Sequence, residues 1–598
     1  MCGISGYILD KIPENIDTIF HHISHRGPDD SGEYKTEING KFVGLYHRRL
    51  SIYDLTKKAS QPMSSFCGRN VIIFNGAIYN YKTLLEELDN SIDLRNEGDT
   101  RVLIESITKW GTIETWKKTN GMFAAAVLDK EKKELKIARD RVGQKPLFYA
   151  LNPKIKGNKF KGVIFASELK AIRELIDHSI DYGFIHEYLI KGRLDSCTNT
   201  LFKEIKRLDP ASELTVNLEK ETIRFESFWN LEQQVNKLVG ISNKEKIINE
   251  TKEKILDSIN MQVTGDRKLG IMLSSGIDST VLSCLIRETG PENIFSFTYD
   301  FEDSEVGESS YSKFTSQNLG LNHISSDPIS KEYVRNNLER IINWQDEPIT
   351  SIRTVAQHYI HEVASKYDCR IIIEGNGGDE IFGGYFHYKF SRLLDRLSDY
   401  RQDTSSLKKI FDQNNSQDLI VGLRSILIPG ICSKDASEVR KLNVIQNHLI
   451  NNYSIRQYES VRNLEQSPLS FTAKAQLNDL FSIFLPRSLR YVDRSSMASG
   501  NEARAPLLDH NVIEHGIASS IFNSYNDSHR EVLREMGNKE ILNKLGKSKK
   551  TIVDPQREWL YGDLFDWALE IVHGSKEILS DYFKYDVLIE NLKEEKNT

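Results

Sequence analysis

LGIMLSSGIDSTVLSCLIRE, residues 269–288, carries the change of pattern on which the fold is decided. Five residues of buried-strand composition (LGIML, 269–273) run into a small-residue loop, SSGIDST (274–280), and then into an apolar helical run, VLSCLIRE (281–288). A strand that opens through Ser and Gly into a helix N-terminus suits phosphate groups. The small side chains let the backbone come close, and exposed amides with the helix dipole favour an anion. No GKS or GKT closes the loop, so it is not a Walker loop. Taken alone, such a turn is often only a turn.

Downstream, IFSFTYD (294–300) and RIIIEG (370–375) are further buried-type strands separated by helical stretches. That alternation predicts a doubly wound parallel sheet with helices on both faces. From about residue 390 the pattern is largely helical, with an Asn/Ser/Asp-rich interval near 411–418 expected to be a loop. Upstream, NLEQQVNKLVGISNKEKIINE (230–250) is polar and suits a connection leading into a helix, which predicts domains at 2–230 and 231–598. Within the first, VIIF (71–74), FAAAVLD (123–129) and ELKIARD (134–140) have strand character, and 81–88 and 101–110 have helical spacing. The first domain is therefore expected to be α+β.

A chain of 598 residues exceeds what one core usually organises. With 39% apolar and 27% charged residues and no apolar run of about 18 residues, no membrane insertion is expected. A net charge of −6 removes the bulk electrostatic argument for nucleic acid. The start, MCGISGYILDKIPE, lacks the basic and apolar regions of a secretory signal, so a cytoplasmic location is expected. Six cysteines without CxxC spacing fit thiols in a reducing compartment. Neither a Walker loop nor a kinase glycine loop with its HRD is found, which disfavours kinase-like transfer.

Cys2 becomes the amino terminus once Met1 is removed. A free α-amine beside the thiol can then serve as its general base, so that one residue supplies both nucleophile and base. A cysteine at this position is by itself commonly incidental. Here it is accompanied, in order, by HRGPDD (25–30), HRRLSIYDL (47–55), FNGAIYN (74–80), EGDT (97–100), NGMFAAAVLD (120–129) and RDRVGQKPLFY (139–149).

This set resembles the glutaminase domain of the class II glutamine amidotransferases, in the version carried by glutamine-hydrolysing asparagine synthetases. The resemblance implies an Ntn-hydrolase-like αββα sandwich. It gives Arg49 the glutamine α-carboxylate and Asp99 the α-ammonium group. Asn75 and Gly76 match the oxyanion hole. On sequence alone, an Asn-Gly pair after a strand is equally a tight turn. Ala77 departs from the pattern, since the family commonly reads FNGEIYN. A raised glutamine requirement, or a substitute acidic group, is expected.

SSGIDST in turn resembles the SGGxDS motif of the N-type ATP pyrophosphatases, with Ser275 in place of the first glycine. The resemblance puts Ser274, Ser275, Gly276, Asp278 and Ser279 around the ATP phosphates, and Leu273, Tyr299, Glu374 and Gly375 around the adenosine portion. EGNGGDEIFGGY (374–385) resembles a second signature, usually SGEGSDE or GDGGDE, so Asp278 and Asp379 are expected to hold Mg2+. Further matches are ESSYSKFTSQNLGLNH (308–323), DEP (346–348), VDRSSMASGNEARAPLLD (492–509) and KSKKTIVDPQREWL (547–560). Lys549 aligns with the lysine that stabilises charge at the adenylate phosphate, with Lys547 and Lys550 as alternative registers.

Asn376 stands where the family has a carboxylate thought to accept a proton as ammonia attacks the acyl-adenylate. The resemblance therefore implies an ATP- and glutamine-dependent amidotransferase acting on aspartate, or on another acid such as a uronic acid of a surface polysaccharide. It also brings an apolar passage for ammonia and leaves room for a homodimer. A regulatory or binding protein with one activity lost is the alternative from another class.

Overall fold

The computed structural model describes residues 2–88, 97–192, 194–195, 198–302, 307–385, 387–399, 444–446, 467–522, 530–545 and 554–596. The interval 411–418, Lys547, Lys549, Lys550, Cys197 and Cys432 lie outside them.

Two six-stranded antiparallel sheets form the amino-terminal part. The first runs in the order Lys206–Arg207, Phe148–Leu151, Gly162–Ala166, Gly3–Leu9, Lys41–Arg49, Asp30–Ile38. The second runs Thr222–Ser227, Ser212–Asn217, Glu134–Arg139, Gly121–Asp129, Asn70–Ile78, Met63–Ser64. Side chains alternate between faces with a period of two. Ile4, Ile8, Val43 and Leu45 of the first sheet therefore meet Val71, Ile73, Ala124 and Ile137 of the second in one buried layer. The outer face of the first sheet, with Tyr7, Leu9 and Tyr46, is covered by Ile19, Leu169 and Ile172 of helices. Ile72, Phe74 and Phe123 on the other outer face are covered by Leu84, Val102, Leu103 and Trp116. The result is four layers, αββα. Each fully buried side chain of this kind contributes roughly 1.5–3 kcal/mol.

The third sheet has five strands, all parallel, in the order Asn322–Ser325, Ile294–Thr298, Lys268–Met272, Cys369–Ile373, Glu502–Arg504. One face packs Leu269, Ile271 and Ile371 against Ile255, Val281 and Leu285 of helices Lys244–Gln262 and Ile277–Thr289. The other packs Phe297 and Ile372 against Ile360, Val363 and Ala364 of helix Arg353–Lys366. The sheet is thus wound on both faces. Most of the described chain beyond it is helical.

The stretch expected to be a connection is itself structured. Leu231–Ile241 is a helix, capped by the Asn230 side chain accepting from Gln233 N at 3.1 Å. Leu231, Val235 and Leu238 stand on one face and join the core of the parallel-sheet half, so burial of a narrow stripe outweighs the polar composition.

Between the two halves lies a buried ionic network. Arg26 pairs with Glu168 at 2.9 Å on its own side and with Asp493 at 2.9 Å across the boundary. Arg494 pairs with Glu168 at 2.6 Å. The Asp493 and Glu168 carboxyls stay below their usual range, despite burial, because Arg26 and Arg494 respectively lie beside them. Among the described residues no helix is long and apolar enough to cross a membrane.

Candidate active sites

Cys2 is buried at the start of the central strand of the first sheet. Its backbone nitrogen donates to Asn75 Oδ1 at 2.9 Å, and its carbonyl accepts from Arg26 Nε at 3.1 Å. Asn75 is fully buried, and its Nδ2 has no hydrogen-bond partner among the described residues. A buried amide donor left without an acceptor is costly, so it marks a place where an oxygen is expected to arrive. Gly76 is required by contact: a Cβ there would stand 2.0 Å from the Met122 carbonyl of the neighbouring strand. Burial pushes the Cys2 thiol up, opposed by the Leu50 backbone and the Arg49 charge.

The Arg49 Nη1 donates to Thr56 O at 2.9 Å and the Nη2 to Asp54 O, so the guanidinium orders the turn beside the site. Asp99 opens helix Asp99–Trp110 and accepts from Ile78 N at 3.0 Å. Burial pushes its carboxyl up to about 6. Ala77 packs with Tyr79 and Met122 of its own half and Met497 and Met261 of the other. A glutamate there would be desolvated among thioethers and aromatic rings, which gives a physical reason for alanine.

In the other half, the loop after the central strand Lys268–Met272 is closed on itself. Ser274 Oγ lies 2.9 Å from Ser279 Oγ and accepts from Gly276 N at 3.1 Å. Ser275 Oγ donates to Glu308 at 2.9 Å. Leu273, Tyr299 and Glu374 stand just past the carboxyl ends of three adjacent strands, the edge where open α/β sheets hold ligands. The Leu273 carbonyl is tied down by Thr298 Oγ1 at 2.6 Å. A Cβ on Gly375 would lie 3.1 Å from Ser279 N and 3.2 Å from Asp278 Cβ, so the two signatures touch through a glycine.

Asp278 and Asp379 are brought together, and a residue that no motif flagged lies between them. Arg530 Nη1 donates to both oxygens of Asp278, at 3.0 and 2.9 Å, and its Nη2 lies 2.8 Å from Asp379 Oδ1. Two carboxylates that share one guanidinium can share one cation. The donor set fits Mg2+, which commonly takes one or two carboxylates and completes its shell with phosphates and water. Among the described residues no group of three or more His, Cys, Asp or Glu could hold a metal by itself.

A small cavity lies between the two halves. Gln144 and Lys145 of the amino-terminal half face Glu374, Asn376, Leu489 and Val492 of the other. Sequence reasoning did not assign Arg26, His361, Asp493 or Arg530. Arg26 and Asp493 did lie inside the quoted HRGPDD and VDRSS segments.

Each half matches its own family model. A family described as "Glutamine amidotransferase domain" matches residues 1–229, and one described as "Asparagine synthase" matches residues 250–597. An αββα sandwich joined to a parallel sheet wound on both faces defines, with these matches, an ATP-dependent amidotransferase that takes its nitrogen from glutamine. The chain belongs to the asparagine synthase family. It is 28% identical to asparagine synthetase [glutamine-hydrolyzing] 1 of Bacillus subtilis (strain 168), covering 96% of this chain and 90% of that one. It is 30% identical to a putative asparagine synthetase [glutamine-hydrolyzing] 2 of Methanocaldococcus jannaschii, covering 67% and 78%. It is also 24% identical to the amidase chry2 of Gibberella zeae, covering 96% and 92%.

Proposed function

We propose that the chain hydrolyses glutamine at Cys2, adenylates aspartate with ATP, and delivers the ammonia to that adenylate to make asparagine. The observation that carries the reading is the presence in one chain of a buried Cys2 backed by the Asn75 amide, unpartnered among the described residues, and of a parallel-sheet edge that brings Asp278 and Asp379 together. In the first site, the Cys2 thiol attacks the glutamine δ-carbon and its own α-amine takes the proton. The free Nδ2 of Asn75 and the Gly76 N–H then meet the oxyanion. Arg49 supplies positive charge for the substrate carboxylate and Asp99 negative charge for its ammonium. In the second site, Ser274, Ser275, Gly276 and Ser279 take the ATP phosphates, and Leu273, Tyr299 and the Glu374–Gly375 backbone bound the adenosine portion. Asp278 and Asp379 would hold Mg2+, which would supply positive charge against the ATP phosphates. Resemblance to the family favours Lys549 for the adenylate phosphate, with Lys547 and Lys550 as the alternative registers.

Asn376 favours a second acceptor class. An amide in place of a carboxylate suits an acid with different polar groups, such as a uronic acid. Aspartate and glucuronate are each to be supplied with ATP, Mg2+ and glutamine while amide and pyrophosphate are followed. Amide from aspartate is the expected result. Amide from glucuronate alone would replace the acceptor, and neither product with either acid would refute the reading.

A further inference from the structure

We propose that Glu374 accepts the proton released when ammonia attacks the activated carboxylate, and that Asn376 and His361 hold it in position. The inference rests on the adenylation reading above. It begins from the loop EGNGGDE, which carries a carboxylate at 374 and an amide two residues later, at 376.

Glu374 directly follows the strand Cys369–Ile373, and its backbone N–H donates to Arg504 O at 2.9 Å. Glu374 lines the cavity between the halves together with Gln144 and Lys145. Two carboxylates line that cavity, Glu374 and Asp493. Asp493 is taken: Arg26 pairs with it at 2.9 Å and Lys145 stands 3.7 Å away, so its charge is matched by buried cations. Among the described residues neither a lysine nor an arginine pairs with Glu374. Its partners are the Asn376 amide, donating to Oε2 at 2.9 Å, and the His361 Nε2, 3.1 Å from Oε1.

Both partners are fixed in turn. Asn376 Oδ1 accepts from Ser488 Oγ at 3.0 Å, which orients the amide so that its N–H faces Glu374. His361 is fully buried and its Nδ1 has no partner among the described residues, so the Glu374 contact is the ring's one hydrogen bond there. The carboxylate is oriented by an amide and an imidazole and, among the described residues, by no lysine or arginine. That combination suits a proton acceptor.

The step balances as follows. The ammonia lone pair forms the C–N bond at the acyl carbon, the C–O bond to the phosphate breaks, and AMP leaves with that electron pair. One N–H proton passes to a Glu374 oxygen, giving the neutral amide, and is later lost to solvent.

The test uses the full chain with ammonium chloride, ATP, Mg2+ and either aspartate or glucuronate, following pyrophosphate in the first turnover and amide separately. Glu374→Gln keeps the shape and one acceptor oxygen. It is expected to release pyrophosphate within about threefold of the native rate and to form amide at least ~100-fold more slowly. Glu374→Ser/Asn376→Glu, which returns the carboxylate to the signature position, is expected to recover at least about tenfold over Glu374→Gln, inside the usual range for a positioned base. Glutamine hydrolysis by the same variants reports folding. Amide formation by Glu374→Gln within about fivefold of native, where a lost base predicts far more, overturns the inference. So does a double variant no faster than Glu374→Gln, or a Glu374→Gln protein that has lost pyrophosphate release as well. Absence of pyrophosphate from the native protein with both acids would overturn the adenylation reading itself.

Discussion

Replacing Asn75 by aspartate separates the acceptor role of a single side chain from its donor role. In the native protein Oδ1 accepts from Cys2 N at 2.9 Å, while the fully buried Nδ2 has no partner. Aspartate is nearly isosteric, so it keeps the acceptor facing Cys2. The freed donor becomes a second acceptor oxygen, aimed where the tetrahedral intermediate develops negative charge. Loss of one such donor is worth about 2.7–4 kcal/mol of transition-state stabilisation. At about 1.36 kcal/mol per decade, that is a fall of roughly 100- to 1,000-fold in the kcat for glutamine hydrolysis. Asn75→Ala should fall within this range. Asn75→Asp should fall further, because a carboxylate repels the oxyanion as well as failing to donate to it. The assay is glutamate release without ATP, with the rate of alkylation of Cys2 as a check that the thiol stays in place. An Asn75→Asp protein that hydrolyses glutamine within tenfold of native, with Cys2 still alkylated normally, would refute the assignment, since about 2.7 kcal/mol cannot vanish into a factor of ten.

Two further predictions concern charge. Burial pushes Asp99 from its ordinary 3.8 to about 6, so in the free protein it is protonated below that pH and cannot pair with an ammonium group. Glutamine binding to Cys2→Ala, measured by calorimetry, should weaken as pH falls through about 6, with Asp99→Asn weak and flat across the same range; a native-like slope in Asp99→Asn would reject the pairing. For stability the sign is reversed, because the folded state holds this proton more tightly than the unfolded chain. The contribution is fully present below 3.8 and is lost as pH rises through about 6. Arg530→Met removes the cation shared by Asp278 and Asp379. Breaking a buried ion pair costs about 3–5 kcal/mol. The variant should melt earlier than native without Mg2+ and recover more of its melting temperature when Mg2+ is added, and an equal Mg2+ response in both proteins would contradict a shared cation site.

The parallel sheet was legible because its strands are continuous apolar runs with a small-residue loop at one end. LGIML and RIIIEG form strands in the structure for that reason, at Lys268–Met272 and Cys369–Ile373. Helix Leu231–Ile241 was not legible, since only Leu231, Val235 and Leu238 turn inward and the remaining composition is that of a solvated linker. The candidate site divides in the same way. Asn75, Gly76, Asp278 and Asp379 sit inside contiguous motifs. Arg530 reaches Asp278 only because the chain returns across the sheet, 252 positions later, and a lone arginine has no local pattern to betray it. Arg26 and Asp493 were visible as letters in motifs, but their pairing across 467 positions is a product of packing alone.

The edge strand Glu502–Arg504 is only three residues long, yet it is a party wall between two rooms. The Glu502 charge is felt at Cys2 and at Asp99, and Arg504 sits over the rings of Tyr53 and Tyr79. From its other side the same Arg504 offers its carbonyl to Glu374. A shift of this strand by a fraction of an ångström therefore cannot be private to either chemistry. Three residues thus serve two neighbourhoods at once, the backbone of Glu374 on one side and the charge around Cys2 and Asp99 on the other.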